Sequence, residues 1–427
     1  MTRPLGLLMG LLLGLPLALA LAVGAAHADP DLFSPQAFAG SLDLRAAGAD
    51  GQTSWIQGGF GKTRFGGKDG AFDDHAAIAD AALVWKPQLS WAWSALIDAE
   101  YQAGQQHPVD LVQAYLSFKP TPKSDWRYSA RFGLFYPEIS LEHGGPEWNV
   151  TDTITPSAIN SWVGEEVKVV GGEAKVSHAL GSSQVSATAG LFGFNDTSGT
   201  LLAFRGWALH DLKSGAFGRF KLPPLDTYMI GKQPPFTSST IELDGNVGYY
   251  GRLEWRPPGR AVFSAFYYAN RGDKISDNAD LEWAWDTRFW NLGASYDIDD
   301  MTRLQSQVMW GHELMGYPNG RSVWINIDYL SAYAMASRRI GLGTLSGRAE
   351  YFQTRDQNFR PATDDADDNR GETGWALTAA WRYDLTAHAQ VFLEALHVHS
   401  DRPSLTGFGL DPHQSQTQVQ TSLRLSL

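Results

Sequence analysis

Apolar and polar residues alternate along most of this chain with a period of two. In the stretch DWRYSARFGLFY, which begins at Asp125, the apolar residues take one face of a strand, and Arg127 and Arg131 take the other. A soluble, half-buried strand gives the same pattern. Here, however, the pattern recurs through to Leu427, with aromatic residues at the segment ends and almost no helical periodicity between segments. The chain is therefore predicted to be all-β.

The connections between the predicted strands are alternately long and short. Outer-membrane barrels have this asymmetry, with long loops outside the cell and tight turns in the periplasm. We therefore predict a transmembrane, antiparallel, up-and-down β-barrel of about sixteen strands, with eighteen as the alternative. The lower count treats residues 37–62 as one long strand with a bulge. A barrel of this size leaves an aqueous lumen.

Two predicted loops are much longer than the others, at residues 137–163 and 195–245. Loops of such length are usually functional or disordered. The first is rich in Trp, Pro and acidic residues, and we expect it to fold into the lumen and narrow the pore. Its candidate constriction residues are Glu138, Glu142, Glu147 and Asp152. The second has clustered Pro and Gly, and its conformation does not follow from the sequence.

The N-terminus has the order of a secretory signal peptide, with Arg3, an apolar run from Leu5 to Val23, and the small-residue site Ala26-His27-Ala28. We predict that residues 1–28 are removed and that residues 29–427 form the barrel. A permanent membrane anchor is the alternative, since the apolar run is nearly long enough to span a bilayer.

The composition fits an exported barrel. The chain has no cysteine, 44 Gly, 16 Trp and a mean hydropathy of -0.25. After the signal region, no apolar run reaches the roughly 20 residues that a spanning helix requires. The net charge of -12 argues against nucleic acid as a partner.

The segments GLFYPEISLEHGG and SWVGEEVKVVGGEAKV resemble Gram-negative porins, and distantly the phosphate-selective porin O and P family. In that family a strand ending in Gly-x-Phe/Tyr-x-Pro leads into a long inward loop. The resemblance implies a pore in the outer membrane of a Gram-negative bacterium. The lysine-lined anion path of the family has no evident counterpart here, because the loop carries acids instead.

Alternation also predicts which charged residues face the lumen. The predicted pore-lining residues are Arg45, Arg127, Arg131, Lys175, Arg252, Glu254, Arg303, Arg348, Glu350 and Arg382. Set against the acids of the inward loop, a basic wall would create a field across the pore that orders water and polar solutes. The simpler interpretation is that these charges only pair and hydrate a polar lumen.

We therefore expect an outer-membrane porin for passive diffusion of small hydrophilic solutes, with weak charge selectivity. Its expected partners are outer-membrane lipid and the solutes, with no cofactor and no metal; the oligomeric state is open, with a homotrimer as one option. The alternatives are an exporter of an anionic polysaccharide, resembling alginate-export barrels, and a barrel hydrolase with a Ser/His/acid site at one rim. The hydrolase would use groups such as His143 with Glu142, or His210 with Asp211, but no nucleophile motif accompanies them.

Overall fold

The computed structural model describes residues 32–68, 70–320 and 322–427. The predicted signal peptide at residues 1–28 lies outside the described residues. Within those residues, sixteen long strands form one closed antiparallel barrel, which confirms the predicted fold and the lower of the two strand counts.

The first eight barrel strands are β1 (Phe38–Gly51), β2 (Gly70–Trp85), β3 (Trp93–Gln102), β4 (Val109–Phe118), β5 (Trp126–Phe135), β6 (Val169–Leu180), β7 (Ser183–Gly193) and β8 (Gly248–Arg256). The other eight are β9 (Ala261–Ala269), β10 (Asp286–Asp297), β11 (Thr302–Pro318), β12 (Val323–Ile340), β13 (Gly343–Asp356), β14 (Glu372–Thr386), β15 (Ala389–Asp401) and β16 (His413–Ser426). Two α-helices lie between strands, α1 (Ala158–Glu166) and α2 (Thr200–Arg205). Short 3-10 turns occupy Pro35–Ala37, Trp55–Gln57, Ala366–Asp368 and Pro403–Phe408, and two-residue strands pair as His143–Gly144 with Asn149–Val150 and as Phe220–Lys221 with Phe236–Thr237.

The barrel closes where the last strand pairs with the first. Ser41 of β1 is opposite Ser426 of β16, and the pairing continues to Ala49 opposite Gln418. Closure leaves no open sheet edge, which matters because backbone groups exposed to lipid have no water to bond to.

The prediction of one strand over residues 37–62 is wrong. β1 ends at Gly51, where a positive φ of 75° turns the chain away from the barrel wall. The following residues form the short 3-10 turn Trp55–Gln57 and lie inside the barrel, where Trp55 is fully buried.

Side chains alternate between the two faces of the wall. On β13, Leu345 and Tyr351 are exposed on the outer face, whereas Arg348, Glu350 and Phe352 are buried on the inner one. The outer face is apolar because it contacts lipid, and the inner face carries most of the charged groups.

The short connections lie at one end of the barrel, which we call the short-turn end. Its turns include residues 181–182, 257–260, 341–342 and 387–388. The opposite, long-loop end carries residues 136–168, which we call loop A, residues 194–247, which we call loop B, and residues 270–285 and 357–371. No helix in the described part of the chain has the length and apolar character needed to cross a membrane.

A hydrophobic core lies inside the barrel. Inward aromatic residues such as Phe289 and Tyr329 of the wall pack against Trp162 of loop A and Trp207 of loop B. Burying one large apolar side chain contributes about 1.5–3 kcal/mol. Both long loops are thus held in the lumen by apolar contacts as well as by charge.

Candidate pore constriction

Helix α1 of loop A lies across the lumen. The ring centroid of Trp162 is 5.4 Å from that of Phe289 and 5.5 Å from that of Tyr329, both on the inner wall. The helix begins where the Ser157 side chain accepts a hydrogen bond from the backbone of Asn160, the usual N-cap arrangement. All nine residues of α1 are buried, so the loop occupies the interior rather than the rim.

The two acids at the C-terminal end of α1 join loop A to loop B. Two adjacent acids at a helix C-terminus are unfavourable for the helix dipole, so they require partners. Glu165 forms an ion pair with Arg205, and its carboxylate lies 2.7 Å from Nε2 of His210. Glu166 accepts hydrogen bonds from Trp162 Nε1 at 2.7 Å and from the backbone N–H of Leu201 at 2.9 Å.

The pKa values of these two acids move in opposite directions. Burial raises the pKa of Glu165, but Arg205 and His210 outweigh it and lower the value below the ordinary one. Burial raises the pKa of Glu166 to about 7, because its neutral hydrogen-bond donors compensate only in part and Glu165 adds repulsion. Glu165 is therefore charged at neutral pH, and its ion pair with Arg205 joins loop A to loop B.

Loop A is anchored to the wall through Glu142. Its carboxylate accepts a 2.8 Å hydrogen bond from Arg348 and a 2.6 Å hydrogen bond from Ser157 Oγ. Arg348 is also paired with Glu350, whose carboxylate accepts from the backbone N–H of Ala158 at 2.7 Å. These contacts place one predicted constriction acid, Glu142, directly on the predicted pore-lining residue Arg348, which also holds Glu350.

Two further loop acids meet predicted wall residues. Glu138 lies 2.8 Å from Lys175 and 3.6 Å from Arg252. Asp152 lies 3.1 Å from Arg382. These ion pairs keep partial exposure, with 42 % of the Glu138 side chain and 21 % of the Arg382 side chain accessible. These two pairs are therefore reachable by solvent, unlike the buried pair of Glu142 and Arg348.

The fourth loop acid is placed differently. Glu147 is half-buried, and its backbone carbonyl, rather than its carboxylate, accepts a 3.0 Å hydrogen bond from Lys213 of loop B. Its side chain is therefore less constrained than that of Glu142.

Predicted wall residues also pair with acids on the wall itself. Arg131 binds Glu173 at 2.9 Å, and Arg252 binds Glu254 at 2.6 Å. Arg303 lies near the short-turn end, 2.7 Å from Asp297, with half of its side chain exposed. Arg127 is exposed on the same face of β5 as Arg131.

Loop B supplies charged residues that the sequence did not place in the lumen; Asp211 was considered there only as a possible hydrolase group. Asp211 bridges two arginines: Arg45, a predicted wall residue on β1, and Arg64, which lies in the connection that follows β1. Both oxygen–nitrogen distances are 2.7 Å. Lys213 binds Glu100 at 2.6 Å. The signal was present as charges in an otherwise apolar stretch, WALHDLK, but only the tertiary contacts show their partners.

These contacts shift the pKa values of the loop B residues strongly. Burial raises the pKa of Asp211, but Arg45 and Arg64 outweigh it and hold the pKa well below the ordinary value. Burial lowers the pKa of Lys213, but nearby acids including Glu100 outweigh it and raise the value. Both residues are thus charged at neutral pH.

At two other lysines inside the lumen, burial outweighs the neighbouring acids, so the pKa is lowered instead of raised. Burial lowers the pKa of Lys168 to about 7, although acids such as Asp110 raise it in part. Burial also lowers the pKa of Lys62 to about 8, despite its ion pair with Glu372 at 2.5 Å. The charge of the interior therefore changes between neutral and mildly alkaline pH.

Three acids at the base of loop B are the group within the described residues whose positions could hold a cation. Oxygen atoms of Asp196, Glu242 and Asp244 lie within 4.8 Å of one another, and carboxylates suit a hard divalent ion. Their oxygens accept backbone hydrogen bonds, among them those from Leu243 to Asp196 and from Phe194 to Glu242. Burial and the neighbouring Glu242 raise the pKa of Asp196 to about 8.

The serine beside His143 serves a local turn. Ser140 Oγ accepts from the backbone N–H groups of Glu142 and His143 at 3.1 and 3.2 Å, and lies 2.7 Å from His143 Nδ1. The His143 ring stacks on Trp148, with 3.7 Å between ring centroids. Burial lowers the pKa of His143 well below its ordinary value. This geometry organises the start of loop A.

Comparison with known proteins places the chain among porin-like barrels. The sequence model of the family described as Putative beta-barrel porin-2, OmpL-like matches residues 227–427, a little under half of the chain. No curated protein matches the chain in sequence.

Three solved structures share the fold at low sequence identity. The outer membrane channel DcaP of Acinetobacter baumannii is 11% identical, with 92% of this chain and 99% of that chain covered and a TM-score of 0.52. The anion-selective porin from Comamonas acidovorans is 12% identical, with 91% and 98% covered and a TM-score of 0.52. The loop L8 deletion mutant of OmpT from Vibrio cholerae is 10% identical, with 91% and 98% covered and a TM-score of 0.51. The chain thus has the fold of an outer-membrane porin barrel, and from residue 227 onward its sequence is similar to a beta-barrel porin family.

Proposed function

We propose that this protein is an outer-membrane porin that lets small hydrophilic solutes diffuse passively through its lumen. The observation that carries the proposal is the contact of three loop A acids, Glu138, Glu142 and Asp152, with basic residues of the wall. In a narrow, poorly screened lumen, such opposed charges interact more strongly than they would in bulk water. The distant resemblance of this chain to the phosphate-selective porin O and P family stays a prediction.

The solute path is proposed to run beside the accessible ion pairs rather than through the packed core. The Trp162 side chain is fully buried, whereas Glu138 and Lys175 keep 42 % and 23 % of their side chains accessible. Water and polar solutes are therefore expected on the charged side of loop A. Because acids and bases face each other there, the selectivity between anions and cations is expected to be weak.

The polysaccharide exporter is less favoured by this geometry. It would require arginines massed at the constriction without opposing acids on the loop. Here Arg348 and Arg382 each meet a loop A acid.

Single-channel recording in a planar bilayer tests the proposal. The wild-type protein is expected to give discrete conductance steps, and a reversal potential close to zero across a salt gradient. Deleting residues 147–155 removes the segment that contacts Arg382 through Asp152 and Glu394 through the backbone of Ile154, so conductance should rise. Unchanged conductance in the deletion variant would place the constriction elsewhere, with loop B the better candidate. An absence of ion-conducting steps in both proteins would refute the channel.

A further inference from the structure

The outer face of four adjacent strands carries a row of charged side chains near the long-loop end. Arg288 of β10 is opposite His312 of β11, His312 is opposite Asp328 of β12, and Asp328 is opposite Arg355 of β13. Their positions alternate with inward residues such as Thr287 and Glu313, which are fully buried. The row therefore faces the surroundings of the barrel, not its lumen.

Two apolar rows follow this charged row toward the middle of the membrane. The first contains, in register, Tyr267, Trp290, Trp310 and Leu330, and it ends at the polar Gln353 of β13. The second contains, again in register, Leu292, Val308, Ala332 and Tyr351. This order, with charged side chains first, then aromatic and then aliphatic ones, is expected where a membrane protein crosses from water into lipid.

A groove of about 550 Å³ lies at the junction of the charged and aromatic rows. Its lining includes Tyr267, Trp290 and Trp310 on the apolar side and Arg288 and Arg355 on the charged side. Trp290 and Trp310 are 46 % and 39 % exposed, so they present broad faces to the groove. The groove thus has an apolar floor with a charged upper edge.

The two arginines are at the ends of the charged row and are open to solvent. The acid between them, Asp328, is engaged by His312 at 2.6 Å and by Gln357 at 2.7 Å. Arg288 has a loose contact of 3.5 Å with Asp286 and keeps half of its side chain exposed, and Arg355 is exposed. Because adjacent strands are about 4.8 Å apart, the two arginines are separated by three strand spacings, or about 14 Å.

We propose that this groove binds the headgroup of a bis-phosphorylated glycolipid of the outer leaflet. Arg288 and Arg355 would each bind one phosphate, since guanidinium groups match phosphate geometry and charge. The sugar would lie over Trp290 and Trp310, and the acyl chains would cover the aliphatic row. Each part of the amphiphile then meets a surface of matching chemistry at the matching depth.

A second copy of the chain fits this surface less well. Its association would bury Asp328 between the two arginines, and acidic residues are depleted at protein–protein interfaces because burying a charge is costly. The inference depends on the placement of the barrel in the outer membrane, and it is independent of whether the lumen conducts.

Native mass spectrometry of the full mature chain tests the proposal. The probe is a hexa-acylated glucosamine disaccharide lipid carrying two phosphates, and the reference lipid is its dephosphorylated form. A single phosphate-dependent adduct is expected for the wild type. Arg288→Gln and Arg355→Gln should each weaken it about fivefold, as expected for loss of one interfacial arginine.

A matched control is available on the same wall. Arg338 of β12 is also an outward, half-exposed arginine, but it lies at the short-turn end near Asp299. Arg338→Gln should leave the adduct unchanged, and heat-modifiable migration in gels should show that all three variants fold. Equal binding of the two lipids, or equal loss in Arg338→Gln, would overturn the proposal. So would an oligomer whose interface shields a cysteine introduced at Arg355 from a thiol reagent.

Discussion

The guanidinium of Arg348 on β13 donates a 2.8 Å hydrogen bond to the carboxylate of Glu142 in loop A, and both side chains are buried. The two residues are 206 positions apart in the sequence. The contact joins a barrel strand to the loop that fills the lumen, so the stability of the barrel and the position of the loop are coupled.

The first prediction concerns this buried pair. Glu142→Gln leaves the Arg348 charge without one of its two acids, and breaking a buried pair costs about 3–5 kcal/mol. The variant should lose its heat-modifiable migration at a lower temperature than the wild type and give noisier single-channel currents. Glu147→Gln removes the same charge from a half-buried position in the same loop, and it should unfold as the wild type does. Equal destabilisation by the two substitutions would mean that stability depends on the net charge of loop A and not on the contact between Glu142 and Arg348.

The second prediction uses two neighbouring residues on β11. Arg303 faces the lumen with half of its side chain exposed, and Leu304 is 40 % exposed on the outer face. In nanodiscs, a cysteine replacing Arg303 should react with a membrane-impermeant thiol reagent, because water reaches it from the short-turn end. A cysteine replacing Leu304 should be protected by lipid. The reverse reactivity would show that the strand register is shifted by one residue.

The barrel followed from the sequence because lipid imposes a period of two on every spanning strand. The apolar part of the inner surface could not be predicted, because alternation predicts a polar lumen and does not show which segments fill it. On β9, Phe266 and Tyr268 face inward while Tyr267 faces outward, so both faces are apolar. Such a strand indicates apolar cover on both sides, here provided by lipid on the outer face and by the two loops on the inner face.

The sequence predicted that basic wall residues would meet acidic residues in the lumen, but not which acid each of them contacts. Alternation placed Arg45 and Arg348 on the inner face, but Asp211 and Glu142 reach them from loops whose path the sequence does not specify. Trp55 and Lys62, which follow β1, are also buried inside, because β1 ends at Gly51 instead of continuing as one long strand. Loop conformation depends on contacts far apart in the chain, and local patterns do not encode them.

The third prediction concerns pH. The folded pKa of Asp196 is raised to about 8 from an ordinary value of 3.8, through burial first and then Glu242. A raised acid contributes stability that is fully present below pH 4 and is lost as the pH rises toward 8, at about 1.4 kcal/mol per pKa unit. Asp196→Asn should therefore unfold at a higher temperature than the wild type at pH 9, and the difference should vanish or reverse near pH 4.

The measurement for Asp196 requires a chelator, because a divalent cation held by Asp196, Glu242 and Asp244 would stabilise the charged form. Asp273→Asn is a suitable control, since Asp273 is an exposed acid near the same loop whose carboxylate accepts from Ser276. A pH-independent difference between Asp196→Asn and the wild type would argue against the raised pKa.

The last prediction concerns the acid that ties loop B to the barrel. Asp211 bridges Arg45 and Arg64, and its pKa is lowered despite burial, so its contribution to stability is present above pH 4 and is lost as the pH falls further. At neutral pH, Asp211→Asn leaves two buried arginines short of their shared partner, which should cost about 3–5 kcal/mol. Loop B should then become sensitive to trypsin at Lys213 or Arg219 while the barrel strands stay resistant. The matched variant Asp280→Asn breaks the exposed pair with Arg219, worth about 0–1 kcal/mol, and should leave trypsin resistance unchanged. If Asp211→Asn and Asp280→Asn are cleaved at the same rate, loop B is held by its apolar contacts around Trp207 and not by the Asp211 bridge.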